Sequence, residues 1–386
     1  MASKAAIVGV GATPYYYRGE SEPQTLYELI DKAVLAALAD AGLAIADVDG
    51  LAFFAYGHEV GMLTEQLGIP ELTFAACVSG GGGGCPGILD LAAMAIETGR
   101  AKTVVCIGAN QQGKRRYGQT MTNLPATPDN IFHRLAGLPG PGQTLALSVR
   151  RHMHEFGTRR EAFGEVVIAS RLAAATRETA LRRKPLSMEE YLAAPMLADP
   201  MCRLDFCLET DGAVAVVVTS AERAADRPHK PVHITASAHG GARDWGRAFF
   251  WLNQTAEAFT TSGAGPIARR LYEAAGIGPQ DVDVALLYDH FSPLVVMQLE
   301  DYGFCGRGEG GAFVESGAIR LDGSIPVNPH GGHLSEGYII GMTHIREAVE
   351  QLRGEAVNQI ADARFALVTG GPANIPMSGA ILSNQP

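Results

Sequence analysis

Apolar residues at helical spacing run from Leu26 to Ala41 and again from Ile267 to Ala275, and each run leads into a short apolar stretch that reads as a strand. The joins repeat one another. Ala41-Gly42-Leu43 followed by Asp47-Val48-Asp49 returns as Ala275-Gly276-Ile277 followed by Asp281-Val282-Asp283. Further along each half a glycine cluster precedes a helix and then a strand that ends in glycine and asparagine. In the first half Gly80 to Gly84 leads through a helix from Gly87 to Gly99 into Thr103 to Asn110; in the second, Gly331-Gly332 leads to the run from Phe365 to Asn374. Two matches in the same order indicate a duplicated unit.

Strands alternating with helices predict parallel β-α-β units with helices on the sheet faces. The fold class is therefore α/β, with two pseudo-symmetric halves packed as layers. Residues 111–207 break the pattern with clusters of Pro, Arg and His, before Ala213 to Val218 resumes a buried strand. That stretch reads as an inserted cap or loop segment over a site. The expected division is 1–110 plus 208–228 for the N-terminal half, 111–207 for the insert and 229–386 for the C-terminal half.

With 386 residues, 47% hydrophobic and 19% charged, the chain has an ordinary globular composition. Its formal net charge of −10 argues against a nucleic-acid footprint, which needs a basic surface. An anionic substrate must then meet a local basic patch. Arg150-Arg151, Arg159-Arg160 and Arg182-Arg183-Lys184, all in the insert, are the candidates. The six cysteines show no C-x2-C spacing, so neither a zinc site nor a disulfide framework is indicated. His152 and His154 are two apart, which cannot place both on one face of the helix they sit in, and no metal site is expected. The N-terminal apolar stretch is short and broken by glycine, unlike a signal peptide or a span of about 20 apolar residues, so a cytoplasmic protein is expected.

Over essentially its full length the chain resembles the thiolase superfamily, specifically its sterol-carrier-protein thiolase-like branch. The residues that carry the resemblance are Ala6 to Gly11, Asp47 to Gly50, Asp211 to Ala215, Tyr288 to Ser292, and Asn328-Pro329-His330-Gly331-Gly332, which is similar to the family's Asn-x-x-Gly-Gly loop. The resemblance implies two βαβαβαββ halves in layered α/β/α/β/α packing. Thiolase chemistry needs a cysteine thiolate at a helix N-terminus, where the dipole and backbone N–H groups stabilise the anion. Matching Ala95 to Gly99 with the family's equivalent helix end puts that cysteine near Gly82. Where the family resembles Gly-His-Pro, this chain reads Gly337-Tyr338-Ile339; where the branch has His-Asp-x-Phe, it reads Tyr288-Asp289-His290-Phe291; and the cysteine near the last strand end is Val368 or Thr369. Two tyrosines stand where the condensing machinery would be.

That pattern resembles the thiolase-fold steroid side-chain aldolases, which work with a small DUF35-type partner containing an OB-fold. The resemblance implies carbon–carbon cleavage of a β-hydroxyacyl-CoA: a 17-hydroxysteroid with a C22 side-chain CoA thioester gives a 17-ketosteroid and propionyl-CoA. It also implies a homodimer core within a heterotetramer, and no cofactor beyond the coenzyme A of the substrate. A retro-aldol cleavage takes a proton from a hydroxyl, breaks the Cα–Cβ bond and leaves an enolate to be held and protonated. Tyr288 and Tyr338 are expected to divide the acid and base roles, with either assignment open. His290, His330 and Asp289 are expected in support, and backbone N–H groups at Gly82, Gly331, Gly332, Gly370 and Gly371 as oxyanion donors. Two other readings remain: a thiolase or acyltransferase using Cys85, and a non-catalytic acyl-CoA-binding scaffold in a DUF35 complex.

Overall fold

A computed structural model describes residues 4–54, 57–78, 82, 84–123, 127, 131–243, 255–373 and 376–386. Its strands are β1 (Ala5–Ala12), β2 (Tyr16–Tyr17), β3 (Gly50–Phe54), β4 (Phe74–Val78), β5 (Thr103–Asn110), β6 (Met196–Ala198), β7 (Met201–Cys202), β8 (Thr210–Ser220), β9 (Val232–Gly240), β10 (Val284–Leu286), β11 (Phe365–Gly370) and β12 (Met377–Ser383). Glycines 80, 81 and 83 and Asn374 lie outside the described residues.

The repeated sequence joins fold alike. The helices Leu26–Ala41 and Gly265–Ala275 both end on a glycine in the left-handed region, Gly42 at φ 62° and Gly276 at φ 69°, a conformation that carries no Cβ penalty only for glycine. The Asp47 carboxylate accepts from the Ala44 N–H at 2.9 Å, and that of Asp281 from the Gly278 N–H at 2.8 Å. Asp49 accepts from the backbone N–H groups of Lys102 and Thr103 at the start of β5, and Asp283 from those of Arg364 and Phe365 at the start of β11. Each aspartate thus ties the beginning of one strand to a neighbour in the same way.

In the first half β4, β3 and β5 run parallel, with β8 and then β1 added antiparallel; in the second, β10 and β11 are parallel, with β12 and then β9 added antiparallel. A parallel bridge from Ala285 to Val327 supplies the counterpart of β4. The half-sheets meet where β1 pairs with β9 through Ala6–His233 and Ile7–Val232.

Alternation along the strands sorts side chains between layers. Val105 and Ile107 of β5 join Leu29, Ile30 and Val34 of the Leu26–Ala41 helix in an outer core. Val104 and Cys106 face the other way, into a central core with Ile88 and Leu89 of the Gly84–Glu97 helix and Ile345 and Val349 of the Met342–Arg353 helix. The inner faces of β10, β11 and β12 close that core from the far side through Val284, Leu286, Ala366, Val368, Ala380 and Leu382. The outer face of the second half-sheet packs on Ile267, Leu271, Leu294 and Val295. This gives helix, sheet, helix, sheet, helix. The insert does more than overlie a site: Val149, Phe163, Val167 and Tyr191 are buried in the outer core of the C-terminal half. His152 is part of that packing, with Nε2 3.1 Å from Glu300 and Nδ1 3.1 Å from the Thr158 hydroxyl.

Candidate active site

Val284 and Leu286 of β10 face the central helical layer, and Tyr288, two residues on, continues that alternation toward the N-terminus of the Gly84–Glu97 helix. Its ring is fully buried. The Tyr288 hydroxyl lies 2.8 Å from the hydroxyl of half-buried Tyr338. Burial, reinforced by this neighbouring phenol, pushes the Tyr288 hydroxyl well above its usual range, so it holds its proton at neutral pH.

Gly82 faces the pair, and the fit is tight. A Cβ placed on Gly82 would stand 1.7 Å from the Tyr288 hydroxyl oxygen, so the tyrosine occupies the volume a side chain at 82 would need. The nearest thiol in sequence, Cys85, is fully buried in the central core, and desolvation raises its pKa far above that of a free thiol. This is the reverse of an activated nucleophile.

A closed ring of hydrogen bonds holds the Tyr288 backbone, and its members were not singled out for this role from the sequence. The Tyr288 N–H donates to the Thr369 hydroxyl at 2.9 Å, that hydroxyl donates to the Gln298 side-chain carbonyl at 2.7 Å, and the Gln298 amide donates to the Tyr288 carbonyl at 3.0 Å. The ring joins the ends of β10 and β11 to the Ser292–Asp301 helix. A signal existed: Gln298 interrupts the apolar run Leu294-Val295-Val296-Met297-Gln298-Leu299, and a buried amide needs partners.

Asp289 sits against histidines other than those expected. Its carboxylate accepts from the backbone N–H groups of His333 and Leu334, at the start of the short Gly332–Ser335 helix, and sits 3.2 Å from His344 Nε2 and from His333 Nδ1. Gly332, at φ 59°, is required there, because a Cβ would approach an Asp289 oxygen to 2.2 Å. The rings of His290 and His333 stand edge-on to Tyr288 at 5.1 and 4.6 Å. Burial lowers His290 to about 3 and holds His330 and His333 well below the usual imidazole range, so all three are neutral. Both ring nitrogens of His330 and of His333 lack a hydrogen-bond partner.

Asp289, His333 and His344 place one potential metal-ligand atom each within 4.8 Å of one another, the one such group among the described residues. His344 Nε2 donates to the Leu287 carbonyl at 2.9 Å while Nδ1 lies 3.3 Å from the Thr343 hydroxyl, an arrangement that keeps the proton on Nε2 and removes it from a ligand set.

The loop carrying Tyr338 is fixed from behind. Buried Arg177 donates to Glu336, to Glu347 at 2.8 Å and to Glu350 at 2.9 Å, and Thr179 adds a bond to Glu336 at 2.8 Å. The Tyr338 N–H donates to Thr210 at 3.0 Å. Gly370 packs against Pro86 and Ser378, and Gly371, at φ 65°, makes the turn beyond β11. Arg159 lies on the surface, matched by Glu315 at 2.9 Å and Glu161 at 3.9 Å, and Arg160 stacks over Tyr191 at 5.6 Å. Arg183 is exposed, as is Lys184, which sits 3.8 Å from Glu190. Arg182 stands apart from these: its N–H donates to the Ser335 carbonyl at 2.9 Å, which joins it to the Tyr338 loop.

Comparison with known proteins places this site in a family. Residues 251–383 match the family model described as "Thiolase C-terminal domain-like". The chain is 40% identical over 390 residues to a 17-hydroxy-3-oxo-4-pregnene-20-carboxyl-CoA lyase of Mycobacterium tuberculosis, covering 99% of this chain and 100% of that one. It is also 40% identical to a steroid side-chain-cleaving aldolase of Thermomonospora curvata, with 98% and 97% of the two chains covered. The solved structure of an Ltp2-ChsH2(DUF35) aldolase superposes with a TM-score of 0.91 at 38% identity, over 99% of this chain and 98% of that one. Among the described residues no helix is long and apolar enough to cross a membrane. With the layered fold, the tyrosine pair and full-length identity to named lyases in agreement, the chain belongs to the thiolase superfamily, in its branch of steroid side-chain-cleaving aldolases.

Proposed function

We propose that this protein is a carbon–carbon lyase that cleaves a β-hydroxyacyl-CoA by a retro-aldol reaction, its substrate a 17-hydroxysteroid bearing a C22 side-chain CoA thioester. The products are a 17-ketosteroid and propionyl-CoA. The observation that carries this reading is the pair of phenol oxygens 2.8 Å apart in the space that Gly82 leaves empty. The names of the full-length relatives support the substrate class, and the Ltp2-ChsH2(DUF35) structure supports a DUF35-type partner for this chain. A homodimer core with two such partners is the assembly we favour.

In this reading the bond from C17 to C20 breaks and its electrons move into the enolate of the thioester, while Tyr338 takes the proton of the 17-hydroxyl and gives up its own phenolic proton toward C20. Protonation of C20 then releases propionyl-CoA, so no net proton is gained or lost. Tyr338, the half-buried member, exchanges the proton with substrate; Tyr288, buried and protonated, donates to the Tyr338 oxygen and steadies charge on it. Neutral His290 and His333 pack around Tyr288 without adding a competing charge.

The test is to incubate the chain with a DUF35-type partner and the 17-hydroxysteroid thioester, and to follow 17-ketosteroid and propionyl-CoA. Product from the wild type that is absent from Tyr338→Phe and survives thiol alkylation supports the lyase. Acyl-enzyme at Cys85 without ketosteroid would instead restore the thiolase reading.

A further inference from the structure

We infer that Arg171, Arg182 and Arg203 form an anion site beside the open end of the tyrosine pair, and that it takes the phosphate oxygens of coenzyme A. This rests on the acyl-CoA reading above and adds which residues grip the carrier.

The three guanidinium groups come from separate segments: the Arg160–Ala174 helix, the loop after Ala180, and the Arg203–Asp205 turn. Several other arginines are matched by a carboxylate. Arg150, Arg151, Arg159, Arg177, Arg346 and Arg353 each have a carboxylate within ion-pair distance, whereas among the described residues Arg171, Arg182 and Arg203 have none. Arg171 is 8% exposed, and its Nε has no hydrogen-bond partner, although one terminal nitrogen donates to the Lys184 carbonyl at 3.2 Å. A guanidinium presents its donors in a fixed fork, so leaving one buried and unused is costly unless a ligand completes it.

The groups also repel one another. Burial and then the charge of Arg182 lower Arg171 to about 10, and burial and then Tyr17 and Arg203 act on Arg182, whose pKa is lowered overall. Tyr17 lies among them, its hydroxyl donating to the Leu181 carbonyl at 2.6 Å. Glu190 offsets part of the field at Arg171 without reaching ion-pair contact; like charges held together with no carboxylate in contact destabilise the folded chain, and such an arrangement is relieved when an anion arrives.

Two connections place the cluster on the reaction side. The Arg182 N–H donates to Ser335, three residues before Tyr338. Cys207, whose N–H donates to the His290 carbonyl at 3.0 Å, feels the charges of both Asp289 and Arg182 and in turn adds to the field at Tyr288. Of the basic residues conspicuous in the insert, Arg182 alone belongs to this cluster, joined by two arginines that are not adjacent to it in sequence.

Isothermal titration of the full chain with coenzyme A, 3′-dephospho-coenzyme A and pantetheine tests the site without needing turnover. Wild type should bind coenzyme A more tightly than pantetheine. Arg171→Gln, Arg182→Gln and Arg203→Gln should each weaken coenzyme A roughly tenfold or more while leaving pantetheine unchanged. Loss of affinity for 3′-dephospho-coenzyme A as well assigns the diphosphate, and its retention assigns the 3′-phosphate. Arg182→Lys should recover part of the affinity, and the Gln variants should melt no lower than wild type because a repulsion has been removed. Unchanged coenzyme A affinity in all three variants, including a result in which only binding of the partner protein suffers, overturns the inference. So does a wild type that binds pantetheine and coenzyme A alike, or a lowered melting temperature with parallel loss of both ligands. A chain that grips coenzyme A through these arginines yet yields no ketosteroid leaves the site standing and removes the lyase.

Discussion

The two halves share a skeleton and differ in what they bring to the centre. Gly42 and Gly276 end equivalent helices, Asp47 and Asp281 make equivalent turns, and Asp49 and Asp283 tether equivalent strands. At the central layer the N-terminal half offers room, through Gly82, and the C-terminal half fills it, through Tyr288, Tyr338 and three buried neutral histidines. A duplicated frame can therefore be kept by backbone-directed aspartates and glycines while the chemistry moves entirely to one side. The residues that hold the frame are not those that react.

The largest expected break in that comparison is Tyr338→Phe or Tyr288→Phe, which should lower kcat roughly 10²–10⁴-fold with little change in KM, read from ketosteroid formation under saturating substrate. Next is acid sensitivity. The unfolded chain takes up protons on His290, His330 and His333 near pH 6.5, whereas the native imidazoles stay neutral because their pKa values are depressed. Their contribution is thus present above pH 6.5 and lost as pH falls, by up to about 1.4 kcal/mol per histidine per pH unit. Urea titrations at pH 7.5 and 5.5 should show the decline, and it should be shallower in His330→Asn.

Gly82→Cys adds a side chain to a filled volume and should cost about 1–3 kcal/mol of stability and abolish lyase turnover without creating a thiolase; recovered acyl transfer would contradict the steric account. Gln298→Leu opens the hydrogen-bond ring behind Tyr288 and should cost about 1–3 kcal/mol, lowering kcat while KM holds, a split that steady-state kinetics resolves. Smallest is the paired test of the frame. Asp49→Ala and Asp283→Ala should each cost about 1 kcal/mol in denaturation, by similar amounts and with kcat intact. Unequal losses would show that the halves are equivalent in shape only.

Much of this was legible before any coordinates. The repeat fixed the helix Leu26–Ala41 and the strand Thr103–Asn110 at their observed ends, since glycine caps and apolar alternation are local signals. Tyr288 and Tyr338 stood out because they replace residues of different chemistry at family positions. What stayed hidden depends on distance in sequence. Asp289 was expected beside His290 or His330, yet the Gly331-Gly332 turn brings the backbone of His333 and the ring of His344 to it instead. Thr369 and Gln298 are ordinary polar residues until β10, β11 and a helix converge. The pairs Arg159-Arg160 and Arg183-Lys184 were conspicuous as neighbours in the chain, but adjacent residues on a helix or strand point different ways, and charges gather across segments that only folding brings together.

The contact between Gly82 and Tyr288 also constrains how one chemistry can turn into the other. With Tyr288 seated as it is here, a side chain at 82 would overlap its ring, so the old nucleophile and this placement of the tyrosine cannot be held together. The side chain at 82 is therefore given up by the time the phenol pair is complete. Such an exchange is open to a duplicate gene relieved of its first duty.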